Sequence, residues 1–93
     1  MSGAYTLKDP VELGDITYAE LKFRTLRGKD LKRAAKYANG DPYLLAMGRI
    51  AVASDVPFTV IEAMTEADIF AALEVLENFS NGGQTTGKSS SPT

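Results

Sequence analysis

Residues 16–38, ITYAELKFRTLRGKDLKRAAKYA, change their hydrophobic period halfway along. Up to Phe23 the apolar residues alternate as in a strand. After Gly28, Leu31, Ala34, Ala35 and Ala38 recur at helical spacing. A strand therefore runs into a helix within one short segment, and an all-helical or all-strand domain is excluded. The same segment holds Lys22, Arg24, Arg27, Lys29, Lys32, Arg33 and Lys36, seven of the chain's ten cations, although the net charge is −2 and the pI near 5.0. Lys22 and Arg24 lie on the strand face opposite Leu21 and Phe23. They can continue into the polar side of the helix as one basic surface, or be simply the solvated face of both elements.

The alternation slips in phase within the strand. Ile16 and Tyr18 are apolar at even positions and Leu21 and Phe23 at odd ones. One extra residue near Ala19 or Glu20 restores a common face, which predicts a β-bulge in this strand. Upstream, Tyr5, Leu7, Val11 and Leu13 alternate with polar residues, giving a first strand with Pro10 at an edge or a bend. Gly14-Asp15 between the strands suits a two-residue type II′ hairpin turn. With the bulge, Leu13 faces Ile16, Val11 faces Tyr18 and Leu7 comes near Phe23.

Downstream, Asn39-Gly40 ends the first helix. Asp41-Pro42 caps and starts a second, with Tyr43, Leu44, Met47, Ile50 and Ala51 as its apolar stripe. Gly48 inside it predicts a close approach by another helix. Pro57 opens a short helical segment with Val60, Ile61 and Met64 inward. Thr65-Glu66-Ala67-Asp68 is close to a capping box, Asp replacing the usual Glu, at the head of an amphipathic helix carrying Ile69, Ala72, Leu73, Leu76 and Phe79 or Ser80. Phe70 and Val75 widen its apolar face. The expected architecture is α+β: an N-terminal antiparallel β-hairpin packed on a small bundle of three to four α-helices. It forms one domain over residues 5–81, and the polar, Gly- and Ser-rich residues 82–93 read as a disordered tail.

The 93 residues are 44% hydrophobic and 24% charged, which bounds the chain to one modest core. There is no cysteine and no histidine, so disulfides, thiolate metal sites and the usual general base are excluded. The helical carboxylates Glu62, Glu66, Asp68, Glu74 and Glu77 are explained by capping and solubility, with no nucleophile or base beside them. No catalytic, metal or cofactor-binding residues are expected, and the protein is expected not to be an enzyme. Gly82 and Gly87-Lys88-Ser89 match the spacing of a phosphate-binding loop but follow a helix and enter a Ser-rich tail, the wrong setting for one. Acids on the last helix argue against a helix-turn-helix reader of DNA. No apolar run is long enough for a membrane span and no signal peptide is seen, so cytoplasmic residence is expected.

Two long stretches carry a resemblance. In residues 5–34, YTLKDPVELGDITYAELKFRTLRGKDLKRA, a Leu-containing strand and short turn precede Tyr18-x-Glu20-Leu21-x-x-Arg24 and Asp30-Leu31. In residues 56–79, VPFTVIEAMTEADIFAALEVLENF, a short helix leads to an Ala67-Asp68 helix start and a helix finishing in Phe79. In order and spacing the chain resembles the small tail assembly chaperones of tailed bacteriophages, those encoded between the tail tube and tape measure genes of contractile-tailed phages. That resemblance implies a non-catalytic assembly factor of the host cytoplasm, absent from the mature virion. It would bind and solubilise the tape measure protein and help recruit tail tube subunits, the latter through a longer form made by frameshifting near Gly87-Lys88. Self-association into a homo-oligomer fits as well.

Lys22, Arg24, Arg27, Lys29, Lys32, Arg33 and Lys36 are then the candidate partner-binding residues. Arg24, Arg27, Lys32 and Arg33 form the electrostatic part, and charge reversal at Arg24 and Arg33 is expected to spare folding. Leu73, Leu76 and Phe79 are assigned mainly to the core. The alternative is a small adaptor or regulator that uses the basic patch on nucleic acid. An acidic chain makes nucleic acid the weaker expectation.

Overall fold

The computed structural model describes residues 3–82. The chain runs β1 (Ala4–Leu13), β2 (Ile16–Lys22), α1 (Gly28–Ala38), α2 (Pro42–Ser54), α3 (Phe58–Ala63) and α4 (Glu66–Gly82). An antiparallel hairpin thus leads into four helices, the expected α+β arrangement. The tail expected from residue 82 on lies outside the described residues from 83 onward, as do Gly87, Lys88 and Ser89.

Local chemistry sets most boundaries. Gly14 alone in the hairpin turn has a positive φ, +64°, the sign pattern of a type II′ turn, and no side chain there opposes it. Asn39 closes α1 in the left-handed conformation. Asp41 accepts hydrogen bonds from the N–H groups of Tyr43 and Leu44 at 2.8 and 3.4 Å, and Pro42 follows where its missing donor costs nothing. Asp55, also left-handed, ends α2, with its N–H directed to the Val52 carbonyl.

The hairpin departs from the expected bulge. Leu13 pairs with Ile16 and Val11 with Tyr18, but Thr6 then pairs with Glu20 and Tyr5 with Leu21. The break falls at Ala19, where the phase slips, yet the additional residues stand on the other strand: Leu7–Pro10 lie opposite Ala19 alone. Leu7 is consequently not a ladder partner of Phe23, whose N–H donates to the Gly3 carbonyl at 2.6 Å, although both side chains are buried in the same core. Pro10 has no donor to give a ladder, so β1 is the strand in which the excess is best tolerated. At the hairpin tip the pattern also overstates burial, since Leu13 and Ile16 are paired but exposed.

The core is built from Leu7, Val11, Leu21 and Phe23 of the hairpin region, Ile50, Ala51 and Ala53 of α2, Val60 and Ile61 of α3 with Met64, and Ala72 and Leu76 of α4. Leu76 is fully buried, while Leu73 and Phe79 are only partly so. α1 packs on α2 at Gly48, where a β-carbon would sit 2.7 Å from the Ala34 carbonyl oxygen. The glycine therefore lets two backbones meet, as its place in the helix predicts. The buried side of α1 is Asp30, Ala34 and Ala38 rather than the face led by Leu31, which is exposed. Tyr37 instead stacks on Phe58 of α3, centroids 4.5 Å apart and rings nearly parallel.

Candidate partner-binding surfaces

The basic region divides into two chemically different parts. Arg24, just beyond β2, donates from Nη1 and Nη2 to the two carboxylate oxygens of Asp30 at 3.0 and 3.2 Å. Its Nε donates to Asp55 at 3.3 Å, and its backbone N–H to the Ala53 carbonyl at 3.0 Å. Asp30 is 1% exposed and also accepts the Arg27 N–H at 2.9 Å, capping α1. A buried carboxylate demands such partners, and a two-pronged guanidinium is the strongest available. The hydrogen bonds from Arg24, then the Arg27 N–H, hold the Asp30 carboxyl down at about 2, and Asp30 and Asp55 in turn push the Arg24 guanidinium up. Arg33, one turn along α1, lies 3.7 Å from Asp30. The structure thus gathers Arg24 and Arg33 about a buried acid, so the expectation that both can be reversed without harm to folding does not fit Arg24.

The second part is open. Lys29, Lys32, Arg33 and Lys36 follow one another at helical spacing along α1 and are all exposed. Among the described residues the three lysines make no ion pair. Arg27 is exposed at the N-cap of α1, and Lys22 is exposed at the end of β2.

A second buried acid ties the hairpin to α4. Asp68 is fully buried and accepts from the Tyr5 hydroxyl at 2.5 Å and from the N–H groups of Lys8 and Asp9 at 3.0 Å each. Those two amides belong to the irregular part of β1, so the carboxylate satisfies donors that the broken ladder leaves free. Thr65 Oγ1 accepts the Asp68 N–H at 3.2 Å, one half of the expected capping box. The Asp68 carboxylate is engaged chiefly by β1, through Tyr5 and the amides of Lys8 and Asp9, with the Thr65 side chain a lesser partner. Hydrogen bonding by Tyr5, then the Lys8 and Asp9 amides, lowers the Asp68 carboxyl against the opposing effect of burial, while Tyr5 is raised to about 12.

Sequence reasoning missed an apolar groove of about 760 Å³ between α2 and α4. Pro42, Tyr43, Ala46 and Met47 form one wall, and Ile69, Phe70 and Leu73 the other, with Met64 at the end of α3 and Glu66 at the start of α4. Tyr43 and Phe70 meet edge to face at 6.4 Å and are 68% and 47% exposed, so two aromatic rings that read as core stand at the surface. The signal was in α2 itself. PYLLAMGRIAVAS has almost no polar face, and a helix apolar all round needs cover on more sides than α1 and the core provide. Large exposed apolar patches of this kind mark interaction sites.

Among the described residues no group of three His, Cys, Asp or Glu is placed to hold a metal, and no helix is long and apolar enough to cross a membrane. The two buried acids are both engaged in holding the fold together. What the surface offers is an apolar groove and a stripe of lysines, the equipment of a domain that binds other macromolecules. Over residues 4–81 the chain matches the family described as phage tail assembly chaperone proteins, E, or 41 or 14. It belongs to that family of tail assembly chaperones. No curated protein and no solved structure matches it.

Proposed function

We propose that this chain binds and solubilises the tape measure protein during tail assembly in the host cytoplasm, without catalysis, and helps recruit tail tube subunits to it. The observation that carries the reading is the α2–α4 groove with its exposed Tyr43 and Phe70. An amphipathic helix presents anchors at i, i+3, i+4 and i+7 to a groove of this kind, and a long helical partner would offer such segments repeatedly. Many weak contacts along one chain then add up through high effective concentration. Lys29, Lys32 and Lys36, with Lys22, Arg27 and Arg33, supply long-range attraction for acidic segments and act mainly on association rate. Arg24 contributes least, because its charge is spent on Asp30 and Asp55. Recruitment of tube subunits falls to a longer frameshifted form, and a gene without a slippery run before its stop codon would remove that part.

Co-expression with the neighbouring tape measure protein tests the reading. The tape measure should become soluble and co-purify, and Phe70→Glu should cut recovery by about tenfold, the effect of losing one well-placed aromatic anchor. A tape measure that stays insoluble beside well-folded chaperone would overturn it.

A further inference from the structure

The contacts between α2 and α4 give the groove a direction. Tyr43 meets Phe70, and farther along Arg49 Nη1 lies 3.8 Å from Glu77. Both pairs advance the same way along both helices, so α2 and α4 run parallel and their N-termini lie at one end of the groove. Asp41 caps α2 there and Glu66 lines the groove at the start of α4, both exposed. At the other end the Arg49–Glu77 ion pair spans the two helices one turn beyond Ala46 and Leu73. The groove is therefore apolar along its length, acidic at one end and bridged by a neutral pair at the other.

Resting on the reading above, we infer that the groove takes an amphipathic helix lying antiparallel to α2 and α4, with Lys or Arg in its last turn. In that orientation the cations of the guest reach Glu66 and Asp41, and its axis dipole opposes those of the two wall helices. The same lysines near the guest's own C-terminus stabilise it as a helix, so recognition and helix formation favour one arrangement. In the reverse orientation the guest's N-terminal end, where acids are the favoured residues, would meet two carboxylates. Residues 83–93 contain no Ala, Val, Leu, Ile, Met or aromatic residue and offer no amphipathic stripe to fill the groove.

Two synthetic amphipathic helices of one composition, one with its lysines in the last turn and one in the first, provide the probe. The full chain should bind the first more tightly by about three- to fivefold, the range for one or two exposed charge pairs. Glu66→Lys, at an exposed site, should abolish or invert that preference. Equal binding of the two peptides, a preference for lysines in the first turn, or no binding of either would overturn the inference. Sedimentation of the chain alone is the companion measurement, since a dimer dissociated by Phe70→Lys would assign the groove to a second copy and overturn it too. Peptide discrimination without tape measure rescue would unseat the partner and leave the groove's chemistry standing. Rescue without discrimination would do the reverse.

Discussion

Two aspartates do work that neither would reveal by its position in the chain. Asp30 and Asp68 each stand at the third position of a helix, where an acid normally serves as a cap. Asp30 does cap α1 but also holds Arg24, six residues earlier, while Asp68 reaches β1 some 60 residues away. Removing the Asp68 carboxylate leaves two part-buried backbone amides and the Tyr5 hydroxyl without their acceptor. Asp68→Ala is therefore expected to cost about 2–4 kcal/mol, a large share of the stability of so small a domain. Urea titration measures this, and a loss within the range of ordinary surface substitutions would show that water replaces the carboxylate. These acids were legible as helix starts but not as buried ligands, because their partners come from elements that only the tertiary fold brings near.

The secondary-structure elements were largely legible, since the signals at their ends are local. Gly14, Asn39, Asp41, Pro42 and Pro57 each act within a few residues of themselves, and all do what their chemistry prescribes. The strand irregularity was legible in phase but not in location, because alternation records that a slip occurs and not which strand carries the excess. Gly48 is the clearest link between an element's sequence and its packing. Gly48→Val would place a β-carbon 2.7 Å from the Ala34 carbonyl oxygen, against backbone that cannot swing aside. The expected cost is about 1–3 kcal/mol, more than the few tenths recovered in helix propensity. Thermal melting tests this, and an unchanged midpoint would mean that α1 and α2 separate at no cost. The groove was hidden for a related reason. Apolar residues at helical spacing look alike whether they face a core or a future partner, and Tyr43 and Phe70 are on the second kind of face.

Across the whole domain the buried acids set the pH range of stability. Both carboxyls lie lower in the folded state than the ordinary carboxylate value, Asp30 at about 2. The native state thus binds fewer protons than the unfolded chain in acid, and the stabilisation is full above about pH 4 and lost as pH falls toward 2. Tyr5 works in the opposite sense. Its raised value, about 12, means that its contribution is complete below about pH 10 and lost as pH rises through 12. Urea midpoints collected across pH should fall on both limbs, and the alkaline fall should vanish in Tyr5→Phe. A flat acid limb would mean that the two carboxylates are no better placed in the fold than in the open chain.

The join between Asp68 and the irregular part of β1 also bears on how the domain opens. A strand at the margin of a two-stranded sheet ordinarily frays, and its amide protons exchange with solvent in local excursions. The amides of Lys8 and Asp9 are held instead by a carboxylate rooted in the last helix. To release them α4 must move, and α4 carries Ala72 and Leu76 of the core. Their protons should exchange at the rate set by global unfolding, as slowly as those at the centre of α2. The first strand and the last helix then form one cooperative unit, and the chain has no separable N-terminal hairpin to lose.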